Sequence, residues 1–238
     1  EKTGNSLSDH MINSLSSAIN EISANKLIKV IVIASTGKIF CSGHNLKEIT
    51  TARESSDHGE NYFKNLFQSC SILMQSIVNC PKPVIAEVDG VATAAGCQLV
   101  ASCDLAIASD SSSFATPGVN LGLFCSTPMV ALSRNVKKKD AMKMLLTGDM
   151  IGSIEAKRIS LINDHVPSKN LSIEVMNLAR KIASKSMQTV KIGKSAFYKQ
   201  AELSLHEAYK YTSEIMTENT LNEDAKEGIS SFLEKRNP

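Results

Sequence analysis

Two stretches of this chain follow one plan: an apolar strand-like run, a loop ending in small residues and glycine, and then a helix start. The first spans Val32 to Glu48 and passes through Cys41-Ser-Gly-His-Asn45. The second spans Val84 to Val100 and passes through Ala94-Ala-Gly-Cys-Gln98. A turn of this kind leaves backbone N–H groups unpaired at a helix start, where the helix dipole favours negative charge. Either turn alone reads as tight strand–helix packing by small residues. Two of them facing each other predict an oxyanion hole, and their likeness predicts a spiral of similar turns.

The rest of the chain supplies the frame. Ser6 or Ser8 can cap a first helix with Ile12, Leu15, Ile19 and Ile22 on one face. Ile28 to Ala34 reads as a buried strand. A helix is predicted from about Gly59 to Val78, burying Phe63, Leu66, Phe67, Cys70, Leu73 and Ile77, and Pro81 and Pro83 stop it before the strand Val84–Val88. A helix from Ala95 to Ser102 and a strand at Leu105–Ala108 follow. Phe114–Phe124 reads as a loop, with helices around 127–134, 137–146 and 153–160 and a last short strand at Asn163–Val166. From Leu171 onward the pattern is helical. Strands alternating with helices predict an α/β body with parallel pairing.

Composition removes several functions. The formal net charge of +2 gives no polyanion-seeking character, and Lys137-Lys-Lys139 reads as a solvated helix end. Trp is absent and aromatic residues make up 5%, which argues against base-stacking platforms and nucleic-acid binding. No apolar run is long enough to span a membrane. Cysteines 41, 70, 80, 97, 103 and 125 form no C-x-x-C pair and are read as reduced thiols of a bacterial cytoplasm or a mitochondrial matrix. No metal-ligand spacing is found for His10, His58, His165 or His206. The chain opens at Glu1 without Met, as expected where upstream residues are missing.

The ordered set Phe40-Cys-Ser-Gly-His-Asn-Leu-Lys-Glu48, Pro83-Val-Ile-Ala86, Gly90, Ala94-Ala-Gly-Cys-Gln98, Cys103-Asp104, Phe114, Pro117, Leu121-Gly122 and Leu146-Thr-Gly148 resembles the crotonase (enoyl-CoA hydratase/isomerase) family. The resemblance covers nearly the whole chain and ends at Glu227 to Arg236. It implies an α/β fold: a crotonase-type spiral of ββα turns over 1–185, then a C-terminal helical trimerisation region over 186–238. It implies a homotrimer or a hexamer built as a dimer of trimers, and a coenzyme A thioester as substrate with no further cofactor. It implies that the backbone amides of His44 and Ala95 hold the thioester carbonyl. Ser42, Asn45, Leu46 and Lys47 would line the coenzyme A channel, Gly118 and Cys125 the acyl end, and Phe232 and Lys235 would meet coenzyme A, in some relatives across a subunit boundary.

The chain departs from the family where the chemistry sits. Family hydratases hold one water between two glutamates, and the matching positions here are Gln98 and Gly118. Neither exchanges a proton near neutral pH, so ordinary hydration is not expected. Gln98 can still orient a water or a substrate carbonyl, or serve as a satisfied helix amide. Some family decarboxylases place a tyrosine where Cys125 stands. A thiol there is a nucleophile only if its pKa is lowered, and pocket lining fits it better. Glu87 and Asp89 are near enough to propose as replacement acids, although strand and turn roles fit them better, and Asp104 is read as fixing a turn. Isomerisation, decarboxylation and thioester hydrolysis all pass through an oxyanion and remain open. The alternative is an acyl-CoA-binding or regulatory protein with weak catalysis.

Overall fold

The computed structural model describes residues 4–237. Ser8 caps α1 (Asp9–Ala24), its side chain accepting from the Met11 amide. The chain then forms β1 (Ile31–Ala34), β2 (Ile39–Cys41), α2 (Leu46–Ala52) and α3 (Glu60–Asn79). A second turn of the spiral repeats this as β3 (Val84–Val88), β4 (Val91–Thr93) and α4 (Ala95–Ser102), and a third begins with β5 (Leu105–Ser109) and β6 (Ser113–Ala115). A 3-10 turn at Pro117–Leu121 leads to α5 (Pro128–Asn135) and α6 (Lys138–Thr147). There follow β7 (Ile151–Gly152), α7 (Ser153–Arg158), β8 (Asp164–Val166) and α8 (Ser168–Ala183). The chain closes with α9 (Met187–Gln200), α10 (Leu205–Thr220) and α11 (Glu223–Leu233).

From β1 to β6 successive strands go to alternate sheets. One sheet has the order β1-β3-β5-β8 and is parallel throughout, with Ile31 opposite Val84, Ile85 opposite Leu105 and Ile107 opposite Asp164. The other has the order β2-β4-β6-β7. Its other pairs are parallel, as expected, and its last pair, β6 with β7, is antiparallel. β3 is buried on both faces. Ala86 and Val88 join the main core with α1, α3 and α4, while Ile85 packs against Leu171, Val175 and Ala179 of α8. That double cover is why the strand reads as an apolar run broken only at Glu87.

Several boundaries move. The first strand begins at Ile31, not Ile28. The stretch 114–124 read as loop holds β6 and the 3-10 turn. In α3 the buried stripe is Leu66, Cys70, Leu73, Met74 and Ile77. Phe63 is half-buried and Phe67 is 41% exposed, because their i, i+4 stripe is offset toward the loop that carries His44.

α9 is tied to the spiral at a buried point. Asp104, at the turn into β5, accepts from the Val84 amide at 2.7 Å, from Lys194 Nζ at 2.7 Å and from the Tyr198 hydroxyl at 2.8 Å. Lys194 also donates to the carbonyls of Ile77 and Lys82. Asp104 therefore fixes its turn, as expected, and in addition docks α9.

Candidate active site

The two loop–glycine turns meet. Gly43 has φ +92°, and a Cβ placed on it would lie 2.9 Å from Ala94 Cβ, 3.1 Å from the Thr93 carbonyl oxygen and 3.4 Å from the Ala95 nitrogen. Thr93 Oγ1 donates to the Ser42 carbonyl at 3.2 Å and links the same two loops. Gly96 lies closer still: a Cβ there would sit 2.1 Å from the Cys41 carbonyl oxygen. Backbone faces backbone at this point, so the contact cannot be relieved by a rotamer change. Gly96→Ala is expected to cost about 3 kcal/mol, the upper end of overpacking. At about 2–4 °C per kcal/mol in a chain of this size, scanning calorimetry should show a loss of roughly 6–12 °C. An unchanged midpoint would contradict the close approach.

Two amides are left free by this arrangement. Ala94 takes φ +51° and donates its own N–H to the Ala115 carbonyl at 2.9 Å. Ala95 is then the first helical residue of α4, where no intrahelical acceptor exists. On the other side the Leu7 amide donates to the Gly43 carbonyl at 2.8 Å, in a bridge that pairs Leu7 with His44. Among the described residues neither the His44 nor the Ala95 N–H donates a hydrogen bond.

The His44 ring is half-buried and stands at 74° to the Phe67 ring, with 5.5 Å between centroids. Nδ1 lies 3.4 Å from the Leu7 carbonyl, while Nε2 is buried without a partner. Burial lowers the imidazole pKa below its ordinary 6.5, against smaller opposing effects of the Leu7 carbonyl, Asp9 and Glu48. The sign of the consequence follows from proton uptake. As pH falls below 6.5 the unfolded chain takes up this proton before the folded one does, so folding stability falls with it. Thermal midpoints recorded from pH 7.5 to 5.5 should drop less steeply for His44→Phe than for the parent protein; parallel curves would show that the ring carries no such linkage.

The remaining predicted positions divide into three groups. Gln98 is 4% exposed, and its side-chain oxygen Oε1 is buried without a hydrogen-bond partner among the described residues. Gly118 has no room for a side chain, since a Cβ would lie 2.6 Å from the Leu123 carbonyl oxygen and 2.8 Å from Cys125 Sγ. The Gly118 amide donates to that sulfur at 3.3 Å, and burial raises the Cys125 pKa, so its thiol stays protonated and is no nucleophile. Ser42, Leu46 and Lys47 are exposed. Asn45 caps α2 by accepting from the Lys47 amide, and its Nδ2 donates to Glu48. Phe232, 82% exposed, and Lys235 lie on and just past α11, which packs on α10.

Glu87 and Asp89 are not replacement acids. Alternation along β3 points them with Ile85 to the α8 side, where Ser172 donates to Glu87 and Ser168 to Asp89. His165 pairs with Asp110 at 2.6 Å. Sequence reasoning missed Phe67 as a neighbour of His44, and Thr116, whose hydroxyl is buried with no partner. It also missed Glu48, which accepts from the Asp9 amide and the Tyr62 hydroxyl and so anchors α2. The spacing of Asn45 and Glu48, three residues apart at a helix start, carried that signal. Among the described residues no group of three His, Cys, Asp or Glu could hold a metal ion, and no helix is long and apolar enough to cross a membrane.

Known proteins share the sequence and the fold of this chain. The family model described as enoyl-CoA hydratase/isomerase matches residues 1–238. Enoyl-CoA hydratase domain-containing protein 3, mitochondrial, of Mus musculus is 50% identical over 234 residues, covering 98% of this chain and 76% of that protein. The Homo sapiens protein of that name is 51% identical over 237 residues, covering 100% and 77%. The crystal structure of the human protein superposes with TM-score 0.94 at 51% identity, over 100% of this chain and 92% of that one. An enoyl-CoA hydratase of Mycobacterium smegmatis superposes with TM-score 0.94 at 43% identity, over 100% and 90%.

Proposed function

The chain belongs to the enoyl-CoA hydratase/isomerase family, and from that premise we propose that it binds an acyl-CoA and holds the thioester oxygen between the amides of His44 and Ala95. The observation that carries this reading is the contact of Gly43 with Ala94 and Ala95, which puts two unengaged N–H groups on neighbouring turns. As an α-proton leaves, or as a carbon–carbon or carbon–sulfur bond reorganises, negative charge gathers on that oxygen. Fixed donors aimed at it, one of them at a helix start, stabilise the enolate more than the ground-state carbonyl. Small residues at 43, 94, 95 and 96 let the thioester reach the backbone.

Ser42, Asn45, Leu46 and Lys47 form the coenzyme A side of the mouth in this reading, with Lys47 free to meet a phosphate. Phe232 and Lys235 would reach coenzyme A from a neighbouring subunit of a homotrimer or hexamer. The relatives named as mitochondrial support a mitochondrial location, with the matrix as the compartment in this reading. A second reading, binding with weak chemistry, is favoured by the filled space at Gly118.

Thermal shift tests the proposal. Butyryl-CoA at about 100 Kd should stabilise the protein by about 2.7 kcal/mol, a rise of roughly 5–11 °C. Free coenzyme A should do much less, and Ala95→Leu, which fills the hole, should abolish the difference. An equal shift with coenzyme A and butyryl-CoA would show that the carbonyl is not held. Binding without turnover of any acyl-CoA would select the second reading.

A further inference from the structure

Glu48 gathers donors from three helices around the His44 loop. One carboxylate oxygen accepts from the Asp9 amide, at the start of α1, at 3.2 Å and from the Tyr62 hydroxyl of α3 at 3.3 Å. The other accepts from Asn45 Nδ2, at the cap of α2, at 2.9 Å. Burial, and then the charges of Asp9 and Glu48, raise the Tyr62 pKa, so its hydroxyl stays a donor. These bonds close a circuit. The Leu7 amide donates to the Gly43 carbonyl at 2.8 Å, and Leu7 leads through the Ser8 cap into Asp9. Glu48 joins Asp9 to Asn45, and the His44 peptide lies between Gly43 and Asn45. A glutamate at the third position of a helix ordinarily turns back onto the backbone N–H of the N-cap residue. Glu48 holds that position in α2 but bonds the Asn45 side chain, and its second oxygen reaches α1 and α3.

Resting on the acyl-CoA reading above, we propose that Glu48 is a positioning residue for the oxyanion hole, holding the His44 N–H in register with the Ala95 N–H without touching the ligand. The two donors differ in their support. Ala95 belongs to α4, whose eight residues are all buried. His44 leads into α2, which is seven residues long and has no fully buried residue; Ile49 alone among them packs, partly buried, on the main core. So short a helix is not stable by itself, and with little packing its place depends on polar contacts. An ionised carboxylate suits that task, because it is acceptor-only and its two oxygens can satisfy all three donors. Bonds to a charged acceptor are roughly twice as strong as neutral ones. Hydrogen bonds weaken steeply as their angle closes. A small shift of the His44 peptide would therefore cost the hole one of its two donors.

Calorimetric titration with butyryl-CoA and with S-butyl-CoA, the thioether that lacks the carbonyl oxygen, isolates the hole from the rest of the ligand. The parent protein should bind the thioester on the order of 10-fold or more tightly than the thioether. Glu48→Ala should cut that ratio to roughly 3-fold or less, the loss of one donor of two. Glu48→Gln keeps an acceptor for Asp9 and Tyr62 but turns a donor toward Asn45, and Tyr62→Phe removes one arm of the clamp. Both should give ratios between those of the parent and Glu48→Ala. If Glu48→Ala fails to fold, these two variants decide. A clamp that serves folding alone would weaken both ligands by the same factor. A ratio undiminished in the variants would therefore overturn the assignment and leave the acyl-CoA reading standing. Equal binding of the two ligands by the parent protein, or binding of neither, would instead sink that reading, and this one with it.

Discussion

Crotonyl-CoA is expected to gain water at least about 10²–10⁴-fold more slowly with this protein than with a family hydratase that carries both carboxylates, the range assigned to a single general acid or base. Water addition to an enoyl thioester needs a proton taken from the water and another delivered to the α-carbon. At 98 there is a carboxamide and at 118 a hydrogen atom, and neither moves a proton at neutral pH. The hole alone stabilises charge on oxygen and leaves both transfers unassisted. Restoring the residues separates the two positions. Gln98→Glu places a carboxylate in an existing side-chain space and should recover part of the rate. Gly118→Glu should recover none, because its Cβ would collide with the Leu123 carbonyl and with Cys125 Sγ. Adding Cys125→Gly removes only the second obstacle. Loss of enoyl absorbance over time measures all of these, and a parent rate equal to that of a two-carboxylate hydratase would overturn the reading of Gln98 and Gly118.

Lys194→Met is expected to destabilise the protein by roughly 3–5 kcal/mol, the cost of leaving one member of a buried ion pair unpartnered. The side chains of Lys194 and Asp104 are only 7% and 15% exposed, so solvent screens the loss little. The variant also strips the Ile77 and Lys82 carbonyls of their shared donor. At about 2–4 °C per kcal/mol the midpoint should fall by roughly 6–20 °C. The double variant with Asp104→Asn should be less unstable than the two single losses added together, because the buried negative charge is gone. Strict additivity would show that the two residues do not act as a pair. If the acyl-CoA reading holds, partial undocking of α9 should weaken thioester binding only through stability, since this contact is remote from His44 and Ala95.

What could be read from the sequence depended on how local its cause was. β3 and β5 were legible because strands covered on both faces write a mostly apolar run, broken in β3 only at Glu87. β2 and β4 were not, since three residues between glycine-containing turns are too few to show a period. The Ser8 cap was visible from residue type and position. The oxyanion turns were legible as motifs, but their contact is a long-range fact that only Gly43 against Ala94 reveals. Phe67 looked like core because its helix is amphipathic; the offset of its stripe toward His44 depends on how α3 sits on the loop. Thr116 gave no signal at all, since a threonine before a proline is an ordinary loop residue until its hydroxyl is found buried and idle.

The register of the first sheet has a kinetic consequence. Its neighbours lie far apart along the chain, Ile31 opposite Val84 and Ile107 opposite Asp164. Each pairing therefore waits on closure of a loop of tens of residues, and the entropy of that closure is lost before any ladder bond returns it. Chains dominated by such pairings cross their folding barrier in milliseconds to seconds, not microseconds. While they do, the apolar edges of half-assembled parallel strands stand open to other copies. Refolding yield should therefore fall as protein concentration rises, even under conditions in which the finished molecule is stable.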